Sequence, residues 1–307
     1  MSDRIKVLYI TGSGRSGSTI LGNLLGQVNG FVHVGEMQQI WSRGFRRNFE
    51  CACGQSFQDC PVWVEIVEEA FGDSKNVDAR ALQQASHFIQ SRHFLKSRTV
   101  SGRETLATRG KSYLDALKQL YQAVQRVHGA DFIVDSSKFH TYGYALGLIP
   151  ELEVYYLHLV RDARGVAHSW AKKMKHPGAG QREMHRFSAS QSTYLWLTRN
   201  FFSRWFLSQP ASHYRLLRYE DFVQDPHETM ADLLRWLNRP VNLDFFVDHN
   251  HVRLGLHHTF SGNPVRQHSN EVIQIRADEL WRQQMTAVDR LKVTLLSFPY
   301  LKKYGYS

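Results

Sequence analysis

Apolar residues fall into two patterns along this chain. Short unbroken apolar runs end in clusters of Gly, Ser, Asp and Arg. Longer stretches between them repeat their apolar positions every three or four residues. The first run, Val7-Leu8-Tyr9-Ile10, leads into a Gly/Ser cluster. Phe132-Ile133-Val134 leads into Asp135-Ser136-Ser137, and residues 154–160 into Arg161-Asp162-Ala163-Arg164. Residues 214–218 form a fourth run. Unbroken apolarity over so few positions predicts strands buried on both faces. Helices are predicted over 19–25, 79–94, 111–127 and 228–237. In the third, Leu114, Leu117, Leu120, Tyr121 and Val124 recur at helical spacing. Residues 36–129 read as mostly helical. Residues 249–268, rich in His, Asn and Gly without a period, read as an irregular loop.

Strands alternating with helices predict an α/β fold, a P-loop-type parallel sheet flanked by helices. Such sheets take ligands beyond the carboxyl ends of their strands. The polar clusters after Ile10, Val134 and Val160 lie at those ends. Residues 37–130 are too many for one crossover and read as a helical insertion over the site, an acceptor-side cap. The chain has no internal repeat and no low-complexity segment, so residues 1–307 read as a single domain.

The sharpest motif is Gly12-Ser13-Gly14-Arg15-Ser16-Gly17-Ser18-Thr19, between a predicted strand and a predicted helix. It nearly satisfies the phosphate-loop template G-x-x-x-x-G-K-[ST]. Glycines let the backbone approach an anion, and the N–H groups of Gly14 to Thr19 at the helix start point at it. Ser18 stands where the template has lysine, and the cation, Arg15, lies three positions earlier. A P-loop kinase sets its lysine on the β- and γ-phosphates and lets Mg²⁺ neutralise the rest. A cation in the turn itself reaches the bridging oxygen of a transferred group instead. A sulfuryl group bears less negative charge than a phosphoryl group, so side-chain cations serve and no metal is expected. The second motif is His158-Leu159-Val160-Arg161-Asp162-Ala163-Arg164-Gly165-Val166-Ala167-His168-Ser169. Arg161 at a strand end grips a phosphate bidentately, and Ser169 in the next helix adds a hydrogen bond to the same anion. The competing reading pairs Arg161 with Asp162 or another carboxylate.

Together these segments resemble the sulfotransferases that use 3′-phosphoadenosine 5′-phosphosulfate (PAPS). The first resembles the family's 5′-phosphosulfate loop, in the Arg-Ser-Gly-Ser-Thr form of tyrosylprotein and many bacterial or carbohydrate sulfotransferases. The phenol and steroid branch usually has Lys where this chain has Arg15. The second resembles the family's 3′-phosphate motif. Asp135-Ser136-Ser137-Lys138, Tyr219-Glu220-Asp221 and Gly262-Asn263-Pro264-Val265-Arg266 extend the likeness over most of the chain. The resemblance implies PAPS as co-substrate and a nucleotide held by Tyr219, Gly262, Asn263 and Arg266. It implies that Lys138 contacts the sulfuryl group or the leaving oxygen. Val34-Gly35-Glu36 follows the first helix by about ten residues, so the chain can return Glu36 to the mouth of the site. By resemblance to the tyrosylprotein branch Glu36 is the base. His33 and His140 are rival bases, since the phenol and steroid branch uses a histidine.

Charge adds one constraint. Lys and Arg number 38 against 28 Asp and Glu, a formal net charge of +10. That excess favours an anionic ligand: a nucleotide, a nucleic acid, an acidic glycan or an anionic membrane surface. The basic residues are spread out, without a lysine-rich tail, which argues against nucleic acid. The stretches 43–47 and 172–176 read as solvated faces. No apolar run reaches transmembrane length, and a strand candidate starts within a few residues of Met1, leaving no room for a signal peptide. The expectation is a cytoplasmic enzyme without membrane insertion, acting on a small-molecule, carbohydrate or lipid-linked acceptor. Two other classes compete. One is a P-loop small-molecule kinase, with Asp135 binding magnesium; the lysine missing at Ser18 argues against it. The other is a non-catalytic nucleotide- or polyanion-binding protein; Glu36 argues against that.

Cys51, Cys53 and Cys60 are the chain's three cysteines, an odd count in one short segment. That is not the pattern of a secreted disulfide framework. The segment C-x-C-x₆-C is not a standard zinc finger, and no His or Asp59 stands out as a fourth ligand. Related bacterial sulfotransferases carry a similar Cys-x-Cys-Gly…Cys-Pro-x-Trp segment. The expectation is a structural role, as one disulfide or as buried thiols, rather than zinc.

Overall fold

The structure, a computed structural model, describes residues 4–90, 95, 99–173, 185–209, 213–262 and 270–306. Strand β1 (Ile5–Gly12) leads through the glycine-rich turn into helix α1 (Ser18–Leu25), and β2 (Phe31–Gly35) returns to the sheet. A 3₁₀ turn (Met37–Gln39) and a π-helical turn (Ile40–Phe45) follow. Next come α2 (Pro61–Phe71), α3 (Ala79–Gln90), α4 (Val100–Arg109) and α5 (Lys111–His128). Then β3 (Phe132–Lys138), α6 (His140–Leu146), β4 (Leu152–Val160), α7 (Ala163–Ala171), α8 (Ala189–Leu207), β5 (His213–Arg218), α9 (Tyr219–Gln224) and α10 (Pro226–Trp236) alternate. The chain continues through β6 (His251–Leu254), β7 (Glu271–Gln274), α11 (Trp281–Gln284) and α12 (Ala287–Lys303).

Five strands form a parallel sheet in the order β2-β3-β1-β4-β5. β1 is central, with Val7 facing Ile133 on one side and Val154 on the other. Successive strand side chains point to opposite faces, which builds two cores. Val7, Tyr9 and Ile133 pack with the apolar stripe of α5, Leu114, Leu117, Leu120, Tyr121 and Val124. Leu8, Ile10, Phe132 and Val134 pack with Leu21, Leu24 and Leu25 of α1 and with Met230, Leu233 and Leu234 of α10. The helical spacing seen in 111–127 is therefore the sheet-facing stripe of α5. Among the described residues no helix is long and apolar enough to cross a membrane.

The structure departs from the sequence reading in the end of β3, in β2, which the apolar runs did not predict, and in residues 249–268. Asp135-Ser136-Ser137-Lys138 does not follow the strand but forms the end of β3. A strand end this polar is buried because its carboxylate is satisfied by its own strand and by α5. Asp135 accepts from the Tyr121 hydroxyl at 2.5 Å, the Ser137 hydroxyl at 2.5 Å and the Ser137 amide at 2.7 Å. Burial pushes its pKa up to about 6 against those hydrogen bonds. Residues 249–268 are not wholly irregular: β6 pairs antiparallel with β7, Val252 facing Ile273. Four residues are too few to display a period. The helix predicted over 79–94 is observed as α3 to Gln90, and 91–94 lie outside the described residues.

Candidate active site

The carboxyl ends of β1, β2 and β3 open onto a cavity of about 280 Å³. On the loop side it is lined by Gly14, Arg15, Gly17, Ser18 and Thr19, and across from them by Glu36, Lys138 and Gly262. Gly17 (φ 89°) turns the chain into α1, and a Cβ there would lie 2.7 Å from the Tyr219 ring. The loop thus packs closely on Tyr219 where it enters α1, and a glycine-rich turn at a helix start suits an anion. Ser16 is buried, and its hydroxyl has no hydrogen-bond partner among the described residues. Arg15 takes a left-handed conformation (φ 69°), uncommon for a residue with a Cβ. Its guanidinium lies 4.7 Å over the Trp170 ring. Burial lowers its pKa, and Glu36 partly restores it.

Glu36 is fixed from both ends. Its amide donates to the Phe260 carbonyl at 2.8 Å. The carboxylate forms an ion pair with Lys138, accepts from the Ser261 hydroxyl at 3.3 Å and lies 3.9 Å from the Arg43 guanidinium. The two charged side chains of the pair are only 15% (Glu36) and 11% (Lys138) exposed. Burial pushes the Glu36 carboxyl up. Lys138, Arg43 and the hydrogen bonds from Lys138 and Ser261 outweigh it and hold the group below the usual carboxylate range. Lys138 is itself left-handed (φ 74°), and its Nζ also donates to the Ser136 carbonyl at 2.8 Å. Its carbonyl accepts from the Thr11 hydroxyl at 3.0 Å. Arg199 of α8, stacked 4.7 Å over Phe139, also reaches the cavity. Arg15, Arg43, Lys138 and Arg199 thus surround one carboxylate, leaving three net positive charges facing the cavity. That surplus favours an anionic ligand.

Gly35 (φ 85°) makes this approach possible. A Cβ on it would sit 2.2 Å from the Phe260 carbonyl oxygen. Gly35→Ala is expected to destabilise the fold by about 1–3 kcal/mol. A shift of the denaturant midpoint measures it; an unchanged midpoint would show that the two segments are not tied here.

Arg161 follows β4, and 6% of it is exposed. It donates to the Arg15 carbonyl at 3.1 Å and to the Asp278 carbonyl at 2.9 Å, and its guanidinium lies 4.5 Å over Tyr219. It forms an ion pair with the Asp278 carboxylate at 3.3 Å, and Lys172 lies 3.6 Å from the same group. Asp162 is not the partner. It caps α7 and takes the Arg164 guanidinium. Ser169 lies in the second turn of α7, outside the lining of the cavity. Asn263 and Arg266 lie outside the described residues.

Neither rival histidine lines this cavity. His33 is held in the core between Asn23 (2.9 Å) and Ser136 (3.0 Å), one at each ring nitrogen. His140 stacks on Phe202 at 5.1 Å, and burial pushes its pKa down to about 4. Arg43 and Arg199 are the residues that sequence reasoning missed. Arg43 belongs to a stretch read as a solvated face. The π-helical turn instead brings it inward, and it donates to the Ser261 hydroxyl at 2.6 Å. No local signal in the sequence marks either arginine.

The fold and the loop define a P-loop-like α/β protein with a cation-lined cavity at its strand ends. The family model described as "Sulfotransferase family" matches residues 8–242. The chain belongs to that family and is a sulfotransferase. Two solved structures share its fold. A sulfotransferase domain from the curacin biosynthetic pathway is 18% identical, with 100% of this chain and 99% of that one covered and a TM-score of 0.53. The sulfotransferase domain of the Synechococcus PCC 7002 olefin synthase is 17% identical, with 98% and 96% covered and a TM-score of 0.50. No curated protein matches the sequence.

Proposed function

We propose that this chain transfers the sulfuryl group of PAPS to an acceptor hydroxyl, with Glu36 as base and no metal in the reaction. The observation that carries the reading is one ionised carboxylate set among four cations beside the glycine-rich turn. Glu36 removes the acceptor's proton as the acceptor oxygen attacks sulfur. The bond from sulfur to the 5′-phosphate oxygen breaks in line, and 3′-phosphoadenosine 5′-phosphate leaves. Arg15, Lys138 and the amides of Gly14 to Thr19 stabilise the charge growing on that bridging oxygen. Lys138 is shared: it pairs with Glu36 and favours its ionised form, and the sulfuryl group of PAPS competes for it, which makes the carboxylate more basic. Phe139, Trp170 and Phe187 add aromatic faces to the cavity, suited to a sugar ring or another small acceptor. Gln39 and Arg43, also lining it, support the reading of residues 37–130 as the acceptor side. Incubation with ³⁵S-labelled PAPS and a panel of sugar, lipid-linked and phenolic acceptors tests the reaction. Label must appear in an acceptor and depend on Glu36. Label carried by no acceptor class argues for a binding protein instead.

The reading assigns the 3′-phosphate to Arg161 and Ser169, and the nucleotide also to Tyr219, Gly262, Asn263 and Arg266, as the resemblance implies. Arg161 already pairs with a carboxylate, Asp278, which Lys172 also approaches. Burial raises the Asp278 pKa, while Arg161 and Lys172 lower it further, so it is ionised at neutral pH. The nucleotide must displace it. Asp278→Asn is therefore expected to tighten 3′-phosphoadenosine 5′-phosphate binding by up to about tenfold. Calorimetric titration reads this directly, and weaker binding in the variant would place the 3′-phosphate elsewhere.

A further inference from the structure

The three cysteines meet a fourth side chain far away in sequence. His258 turns its Nδ1 toward them, 3.3 Å from Cys60 Sγ and 3.9 Å from Cys51 Sγ. Cys53 Sγ lies 3.7 Å from Cys60 Sγ, and all four ligand atoms lie within 4.8 Å of one another. Zinc bonds of about 2.3 Å to sulfur and 2.0–2.1 Å to nitrogen, arranged tetrahedrally, set ligand atoms about 3.8 Å (S···S) and 3.6 Å (S···N) apart. The three separations of 3.3, 3.7 and 3.9 Å fall near that spacing, and no pair of ligand atoms is farther apart than 4.8 Å.

We infer that Cys51, Cys53, Cys60 and His258 form a structural zinc site. The fourth ligand missing from residues 51–60 comes from the segment before Phe260. Backbone contacts hold both segments in place. Cys51 N–H donates to the Gln55 carbonyl at 2.8 Å and Gly54 N–H to the Cys51 carbonyl at 3.1 Å, a tight turn that points Cys51 and Cys53 the same way. Cys60 stands just before α2, and Trp63 Nε1 donates to the His258 carbonyl at 2.9 Å. Ala52 N–H donates to the Thr259 carbonyl at 3.1 Å. One disulfide would use two of these thiols and leave a thiol and an imidazole facing it. A tetrahedral thiolate-rich site uses all four and suits zinc. With every position filled by protein, the metal has no open coordination for substrate, so its role is structural. Binding releases the thiol protons. Cys53 and His258 are partly exposed, giving the ion a way in. The ion would tie residues 50–60 to 258–261, the segment whose Phe260 carbonyl and Ser261 hydroxyl hold Glu36. The site stands apart from the cavity and does not depend on the sulfuryl-transfer reading.

Elemental analysis of the full chain, loaded with Zn²⁺ and desalted, is expected to give one zinc per chain. Apoprotein titrated with Co²⁺ is expected to show the ligand-field and thiolate charge-transfer absorption of a tetrahedral site. Cys53→Ser and His258→Ala are each expected to weaken Co²⁺ binding by at least about a hundredfold, beyond what losing an outer-shell partner costs. An apoprotein that refolds only with Zn²⁺ also supports the site. A folded apoprotein giving no cobalt–thiolate absorption, or a cysteine disulfide in the unreduced peptide map, overturns it.

Discussion

Glu36→Gln is expected to lower kcat by about 10²–10⁴-fold, the share a positioned general base contributes, and to leave nucleotide affinity close to that of the parent chain. The amide keeps the shape of the side chain and still accepts a hydrogen bond from Lys138, but it takes up no proton. A carboxylate that merely held Lys138 in place would behave differently: its amide variant would lose stability and nucleotide binding along with rate. The pH profile separates the two further. The fold depresses the Glu36 pKa, so the charged form persists below the range in which an ordinary Glu, near pH 4.3, takes up its proton. The acid limb of kcat/KM, which reports the free enzyme, is therefore expected below that ordinary value and is expected to vanish in Glu36→Gln. The same depression links the group to stability. Its contribution is complete above the unfolded-state pKa and is lost as pH falls through the lower folded-state value. Melting curves across that window check it, the parent chain losing more stability than the variant.

Arg15→Ala is expected to lower kcat by about 10²–10³-fold, the cost of removing one donor aimed at developing charge, and to weaken nucleotide binding as well. Arg15 is held left-handed in the turn with its guanidinium on Trp170, so its charge is placed before any ligand arrives. Arg15→Lys keeps the charge but loses the planar stacking and the bidentate geometry. It is expected to recover most of the affinity and less of the rate. Steady-state kinetics with a saturating acceptor separates these effects. Full activity in Arg15→Ala would remove this residue from the mechanism.

The parallel sheet is legible in the sequence because its strands are buried on both faces and read as unbroken apolar runs. The stripe of α5 is legible for the complementary reason: only one side of that helix meets the sheet. The loop of Gly12 to Thr19 is legible because the glycines and the helix start must follow one another in the chain. Arg43, Arg199 and His258 lie beyond such reading. Arg43 reaches the cavity through a π-helical turn that no composition announces. Arg199 is one of the cations spread through the sequence until α8 packs beside the loop. His258 meets Cys60 across 198 positions, through backbone pairings of Phe260 with Gly35 and Cys51. Asp278 stands against Arg161 across 117 positions. Each of these is a tertiary juxtaposition, and local pattern carries no information about it.

The whole account turns on an adenine nucleotide with a 3′-phosphate spanning Arg161 and the loop at Arg15. Isothermal titration of the purified chain with 3′-phosphoadenosine 5′-phosphate, in parallel with ATP and Mg²⁺, tests this most directly. The account predicts one site per chain for the former, lost in Arg161→Ala, and little heat from the latter. Tight binding of magnesium ATP with no response to 3′-phosphoadenosine 5′-phosphate would contradict it.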